Sequence, residues 1–304
     1  MLNLHLLRIF KEVAERGSFT RAAQALSISQ PAVSKAVRDF EEQVGNPLIE
    51  RGRGGPRPTR LGEILLANAQ ELFKVERAME EVIRSSKGIE SGQLAIGAST
   101  TVAIYYLPPC IGAFHKAHPD IQLELHSANT REIAAKLKRR EIDIALVEGP
   151  VNDPELVVQP WRSEELVLVS GIDHPLARRK TVGEKDALSD CLLLIREPGS
   201  GTREVVTEAL RAARIRPMRL MEVNSTEAVK RLVAAGVGVA LVSRDAAEDF
   251  LRSGRLVEVR IKGLSVNRVL ARLTIRNRRE TSAVKAFNKI LDRSRDARFP
   301  TRPA

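Results

Sequence analysis

Cysteine is nearly absent from this 304-residue chain: Cys110 and Cys191 are the two copies, far apart and in no CxxC pair. That excludes a disulfide framework and a cysteine zinc site, and it fits a reducing compartment. Aromatic residues make up 4% of the chain, with a single tryptophan, Trp161, expected to be a packing residue near a crossover between lobes. No apolar run approaches the roughly 18 residues of a transmembrane helix. The N-terminus carries Arg, Lys and Glu where a secretory leader needs an unbroken apolar stretch. Motifs of covalent and metal chemistry are missing too: there is no HExxH, GxSxG or Walker A loop. His115, His118 and His126 lack companions at metal-ligand spacing, so they read as surface or capping residues, and neither metal nor cofactor is expected. Gly236-Val237-Gly238 leads into a strand, whereas a dinucleotide fingerprint follows one and opens a helix. These absences leave a cytoplasmic chain with no evident catalytic constellation.

Apolar and charged residues are plentiful, at 43% and 29%, so the chain can bury real cores and remain soluble. Its length favours two or three domains. A net charge of +11 and a pI near 10.0 indicate a polyanionic partner without placing it. Residues 260–304 hold thirteen basic against three acidic groups, and residues 1–60 ten against six. The larger surplus therefore sits at the C-terminal end, where a solvated basic face is the ordinary meaning. Pattern, not charge alone, has to locate the partner.

Three short helices can be read in the first 45 residues. Leu6, Leu7, Phe10, Val13 and Ala14 repeat at helical spacing and stop at Gly17. Ser18 is a good N-cap for a second helix carrying Ala22, Ala23 and Leu26 on one face. A short polar turn, Ser27-Ile28-Ser29, precedes a third helix opening at Gln30-Pro31, where proline is tolerated. Val33, Val37, Phe40 and Val44 form its apolar face, and Pro31, Ser34, Lys35 and Arg38 fall opposite. Small, polar and basic groups on an exposed helix suit a major-groove reader, with Lys and Arg reaching phosphates or guanine and Gln pairing adenine. Helix, short turn, helix is the arrangement whose second helix enters the groove. Behind it, Arg51, Arg53, Arg57 and Arg60 are interleaved with Gly and Pro, as in a two-stranded wing laid along the DNA backbone or minor groove.

With Phe10, Gly17-Ser18-Phe19, Ala22-Ala23, Leu26, Ser29-Gln30-Pro31, Ser34, the Glu41-to-Gly45 helix end, Leu48 and Arg51, this stretch resembles the winged helix-turn-helix of LysR-type transcriptional regulators. Ile49 stands where that family usually has Phe, Pro58 where a Leu precedes Thr59, and the wing is unusually rich in Arg, Gly and Pro. The expected DNA contacts are Ser29, Gln30, Pro31, Ser34, Lys35, Arg38, Arg51, Arg53 and Arg57.

From Thr59 to Lys87 no proline interrupts the chain. Leu65, Leu72 and Met79 repeat at seven, with Leu61, Asn68, Val75 and Val82 as the second heptad position. That predicts a coiled-coil dimer helix about 40 Å long, with Asn68 setting register. Lys87-Gly88 and Ser91-Gly92 then form a hinge. A dimer also matches the DNA reading, since paired recognition helices read half-sites one helical turn apart.

From Gln93 onward, short apolar runs alternate with amphipathic stretches. Strands are expected at 94–98, 122–126, 142–147, 166–170, 192–195, 220–223, 239–243 and 270–275, and helices at 104–116, 130–140, 203–213, 227–235 and 283–293. This pattern predicts a mostly parallel α/β fold in two lobes with a ligand crevice between strand ends and helix starts. Ser99-Thr100-Thr101, Asn129-Thr130, Asn224-Ser225-Thr226 and above all Arg196–Arg203 are strand-to-helix turns rich in hydroxyls and glycine. Four such turns predict a shared anion site at helix N-termini.

Asp143–Leu146, Ser163–Val169, His174-Pro175-Leu176 and Ala235–Val239 are similar to recurrent marks of the same family's effector domain. VEGPV at 147–151, REPGSGTREV at 196–205 and EVNSTEAVK at 222–230 resemble its CysL-like subgroup, linked to sulfur metabolism. The resemblance implies an α/β architecture of three parts: a winged helix-turn-helix (1–60), a coiled-coil linker helix (61–88) and a two-lobed effector domain of the type II periplasmic-binding-protein fold (92–304). Lobe I would span about 92–162 and 268–295, and lobe II about 163–267. Candidate effector contacts are Ser99, Thr100, Thr101, Asn129, Thr130, Glu148, Ser200, Gly201, Thr202, Arg203, Asn224 and Ser225. A carboxylate at Glu148 would repel a simple anion or hold an amine, which keeps an O-acetylserine-like effector beside sulfite, sulfate or a small carboxylate. The resemblance further implies promoter DNA as partner, dimers pairing into a homotetramer, contact with RNA polymerase and no enzymatic activity. The rival reading is a cytoplasmic small-anion-binding protein or enzyme with an N-terminal interaction module.

Overall fold

The computed structural model describes residues 2–52, 55–86, 92–179, 181–183 and 188–294. The chain divides into two compact units, Met1–Val82 and Ile83–Ala304.

In the first unit α1 (Leu4–Arg16), α2 (Phe19–Leu26) and α3 (Gln30–Val44) are each delimited by their own capping residues. Ser18 Oγ accepts from Arg21 N–H and Ser29 Oγ from Ala32 N–H, both at 3.3 Å. Gly17 and Gly45 end α1 and α3 in the left-handed region that favours glycine. The inward faces meet around Phe10, Val13, Ala22, Val33, Val37 and Phe40. Two short antiparallel strands follow, β1 (Ile49–Gly52) and β2 (Gly55–Pro58), paired from Ile49–Pro58 to Gly52–Gly55. Glu41 ties this wing to α3, because its Oε1 accepts from Leu48 N–H at 2.7 Å and Ile49 N–H at 3.0 Å.

The long helix α4 (Arg60–Ser86) has a broader apolar face than a heptad seam. Ala69 and Phe73 are buried in the N-terminal core, with Leu61, Leu65, Leu66 and Leu72 half-buried around them. Ile64, Val75 and Met79 stay exposed, and Asn68 donates to Ile64 O at 2.8 Å. The expected seam is therefore divided. Leu61, Leu65 and Leu72 pack on their own domain, while Asn68, Val75 and Met79 face solvent. The side chain of Val82, and the hinge residues 87–91, lie outside the described residues.

The second unit opens with β3 (Gly92–Ser99), α5 (Thr100–Tyr105), α6 (Leu107–Ala117), β4 (Ile121–Ala128), α7 (Thr130–Lys138) and β5 (Ile144–Glu148). A 16-residue strand, β6 (Leu156–Gly171), carries the chain across to β7 (Thr181–Val182), β8 (Leu192–Arg196), α8 (Gly201–Ala212), β9 (Arg219–Val223), α9 (Thr226–Ala234), β10 (Val239–Ser243), α10 (Arg244–Arg252) and β11 (Leu256–Ile261). β12 (Val266–Ile275) returns, and α11 (Ser282–Arg293) closes the fold. The sheet runs β4-β3-β5-β12-β6-β10-β8-β9, with β11 also paired to β6. Neighbours within each lobe (β3–β4, β3–β5, β8–β9, β8–β10) are parallel, but β6 and β12 pair antiparallel with each other and with their neighbours. The sheet is thus mixed, not mostly parallel, because the two strands that link the lobes run in opposite directions. Each lobe is covered on both faces. One core gathers Ile96, Phe114, Trp161 and Phe287, and another Leu168, Leu193, Leu210 and Leu241. Trp161 is buried on the crossover strand, where its indole donates to Leu291 O at 3.0 Å.

Candidate DNA-reading and effector sites

The outer face of α3 presents Ser29, Gln30, Pro31, Lys35 and Arg38 exposed, with Ser34 half-buried among them. Val33, Ala36, Val37 and Phe40 turn inward, so the helix is held by one face and free on the other. Arg57 is exposed on β2. Arg51 lies on β1 opposite Pro56, its side chain outside the description, and Arg53 lies outside the described residues.

In the second unit the strand-to-helix turns converge between the lobes, and Glu148 at the end of β5 is their node. It is buried, its carboxylate accepts from Ser99 Oγ and from Thr202 Oγ1 (3.4 Å), and Arg268 Nη1 stands 3.9 Å away. Its backbone oxygen accepts from Thr130 Oγ1 at 2.9 Å. Gly201 packs against that same oxygen so closely that a Cβ would stand 1.8 Å from it. Burial pushes the Glu148 carboxyl above its ordinary range, opposed by Arg268, reinforced by Glu164 and opposed again by Arg196. A carboxyl shifted this way does not repel an anion as an ordinary carboxylate would.

Two buried arginines complete the cleft. Arg196, at the end of β8, donates through Nη1 to Thr226 Oγ1 (2.7 Å) and through Nη2 to Thr100 Oγ1 (3.0 Å), while Glu197 holds its Nε at 2.8 Å. Thr101 and Thr226 hydroxyls face each other at 3.3 Å. Arg268, on β12, binds Glu164 through Nε and Thr202 Oγ1 through Nη1 at 2.6 Å. Glu164 also accepts from Tyr106 OH at 2.6 Å and from Ser243 Oγ.

Of the expected effector contacts, Ser99, Thr100, Thr101, Thr130, Glu148, Ser200, Gly201 and Thr202 are therefore brought together. Asn129 and Ser225 instead cap α7 and α9, accepting from Glu132 and Ala228 N–H. Arg203 turns to Arg196 O (2.8 Å) and Glu222 (2.7 Å), and Asn224 is exposed. Arg196, Glu164, Thr226, Ser243 and Arg268 were not foreseen. Arg196 opens the very turn singled out as an anion site. Arg268 gave no such signal, because it sits in a basic run read as solvated; yet Arg268 and Arg272 are both buried. Cys110 and Cys191 are buried thiols with pKa values raised by burial, which suits inert packing residues. Among the described residues no cluster of His, Cys, Asp or Glu could hold a metal, and no helix is long and apolar enough to cross a membrane.

A helix-turn-helix head with a wing, joined through a long helix to a two-lobed polar cleft, defines a ligand-responsive DNA-binding protein. Comparison with known proteins gives the family. Residues 87–295 match the model of the LysR substrate binding domain, and residues 4–63 that of the bacterial regulatory helix-turn-helix protein, lysR family. The chain belongs to the LysR family of DNA-binding transcriptional regulators, which are not enzymes. It is 34% identical over 290 residues to a probable RuBisCO transcriptional regulator of Synechocystis, covering 93% of this chain and 84% of that one. It is 32% identical over 267 residues to the transcriptional regulator CysL of Bacillus subtilis, covering 88% and 89%. In structure it is similar to the regulatory domain of CcmR from Synechocystis in complex with 2-PG, with a TM-score of 0.63, 25% identity, and 68% of this chain and 99% of that one covered.

Proposed function

We propose that a small anion, bound in the cleft between the lobes, sets how this regulator engages its promoter. The observation that carries the reading is the pair of buried arginines, Arg196 and Arg268, set among hydroxyls at the starts of α5, α8 and α9. Helix N-termini and guanidinium groups both favour negative charge. The raised pKa of Glu148 removes the main argument for an amine-bearing effector. A sulfur oxyanion and a small phosphorylated or carboxylated acid both fit this chemistry. The first agrees with the likeness to CysL, the second with the CcmR domain bound to 2-PG.

In this reading α3 enters the major groove with Ser29, Gln30, Pro31, Ser34, Lys35 and Arg38, and the wing lays Arg51, Arg53 and Arg57 on the backbone. Two chains pair through α4, dimers join into a tetramer, and the complex acts in the cytoplasm on promoter DNA and RNA polymerase. The effector must bind one arrangement of the lobes more tightly than the other, since equal affinity shifts no equilibrium.

The test is a titration of the purified protein against DNA from upstream of its own gene, at two salt concentrations, with and without sulfite, sulfate, 2-PG and O-acetylserine. Competitor-resistant binding altered by one of the anions is the expected result. Weak binding, equal on all sequences and lost at higher salt, would defeat the reading.

A further inference from the structure

Hydrogen-bond accounting in the cleft leaves two donors without partners. Ser200 occupies the N-cap of the 12-residue helix α8, where a serine ordinarily turns its oxygen to the first-turn N–H groups. Here it makes no such bond, and its hydroxyl is buried with no partner at all. Arg268 is the second case. Its Nε holds Glu164 and its Nη1 holds Thr202, but its Nη2 is buried and unpartnered. Buried polar groups are nearly always satisfied, so each exception calls for a reason.

The two exceptions belong to one place. Thr202, bonded to Arg268, lies in the first turn of the helix that Ser200 begins. Arg268 also lines an open hollow of about 340 Å³ beside Gly149, Pro150, Ser163, Val205 and Asn267. That is room for a small molecule, whereas the space among Thr101, Arg196, Thr202 and Thr226 is about 10 Å³, the room of one water.

We propose that Ser200 Oγ and Arg268 Nη2, at the positively polarised start of α8, receive the charged head of the effector, and that Arg268 is the residue that selects for it. The proposal deepens the reading above and rests on it. The ligand class is a small molecule bearing a sulfate, sulfonate, phosphate or carboxylate group. The nearby carboxyls already have partners: Glu164 is held by Arg268, Tyr106 and Ser243, and Glu148 by Ser99 and Thr202. Glu164 is a positioning residue, fixing the guanidinium plane so that its third nitrogen remains for the ligand. A lysine at 268 would keep the charge but has one nitrogen where arginine has three, and could not serve Glu164, Thr202 and a ligand together.

Calorimetric titration of the full-length protein with inorganic sulfate, inorganic phosphate, 2-PG and O-acetylserine tests this. At least one of the three anions should bind the unaltered protein. Ser200→Ala and Arg268→Lys should each raise its Kd about tenfold or more, the loss of one charge-assisted hydrogen bond. Thermal unfolding reports whether each variant is folded; if Arg268→Lys is not, Ser200→Ala decides alone, since it removes an oxygen that bonds nothing in the protein. An anion that binds the folded variants and the unaltered protein with equal Kd overturns the assignment of Ser200 and Arg268 while leaving the anion reading standing. Binding of none of the anions, or of O-acetylserine alone, overturns the anion reading and this proposal with it.

Discussion

Glu148 shows how much one buried carboxyl can govern. Because burial disfavours its charged form, the folded protein holds the Glu148 proton more tightly than the unfolded chain does. Stability contributed by the neutral form is therefore full below the unfolded value of about 4.3 and is lost as pH rises through the raised folded value, by up to about 1.4 kcal/mol per unit. Glu148→Gln keeps the shape and an acceptor for Ser99 but cannot ionise. Its stability advantage over the unaltered protein, followed by urea unfolding, should grow with pH above about 4.3 and then level off. An advantage that stays flat would mean that Glu148 carries no such penalty. Gly201 is the steric counterpart. A Cβ there would collide with the Glu148 carbonyl, which is backbone and cannot swing aside. Gly201→Ala should destabilise the second unit by roughly 1–3 kcal/mol or more, read as a lowered unfolding midpoint, with effector binding weakened alongside.

Among the elements, the wing is held to α3 largely by one side chain. Glu41 accepts two backbone N–H bonds from Leu48 and Ile49, and a hydrogen bond to a charged group contributes about 1.5–3 kcal/mol. Glu41→Ala should lower the stability of the first unit by at least one such bond, whereas Glu41→Gln, which keeps one acceptor oxygen, should lose less. Guanidinium unfolding of the two variants would show equal losses if the contact were incidental. Such capping and turn chemistry is why the head was readable from the chain alone: Ser18, Ser29, Gly17 and Gly45 delimit its helices locally. The α/β part was readable where apolar runs are short and bounded. It was not readable along the first half of β6, where Pro160 sits at a register shift opposite Leu270/Ala271 and breaks the alternation. The helix expected from Ile104 starts at Thr100 and is interrupted at Tyr106, just before Pro108 and Pro109. The site followed the same division. Hydroxyls in strand-to-helix turns are local signals, but Arg268 reaches the cleft through the pairing of distant strands, which no local pattern records.

For the whole molecule, DNA reading and chain pairing should come apart experimentally. Ile64, Val75 and Met79 form an exposed apolar line along α4, and burying such side chains yields about 1.5–3 kcal/mol each. That is enough for a second copy of α4 to be the favoured cover, while Leu61, Leu65, Ala69 and Phe73 are already committed to the N-terminal core. Val75→Glu with Met79→Glu should therefore give a monomer by sedimentation, with the folded head intact by circular dichroism. Such a monomer keeps one recognition helix and should bind a half-site weakly, without the gain that comes from two heads on one duplex. Ser34→Ala with Lys35→Ala and Arg38→Ala should do the opposite. The assembly should persist, effector binding should persist, and sequence-specific promoter binding should be lost, with a shallower salt dependence because two cationic side chains are gone. If the α4 variant still sediments as the unaltered protein does, pairing lies elsewhere in the chain. If the α3 variant keeps its promoter affinity, the groove-reading face is not the one that Lys35 and Arg38 occupy.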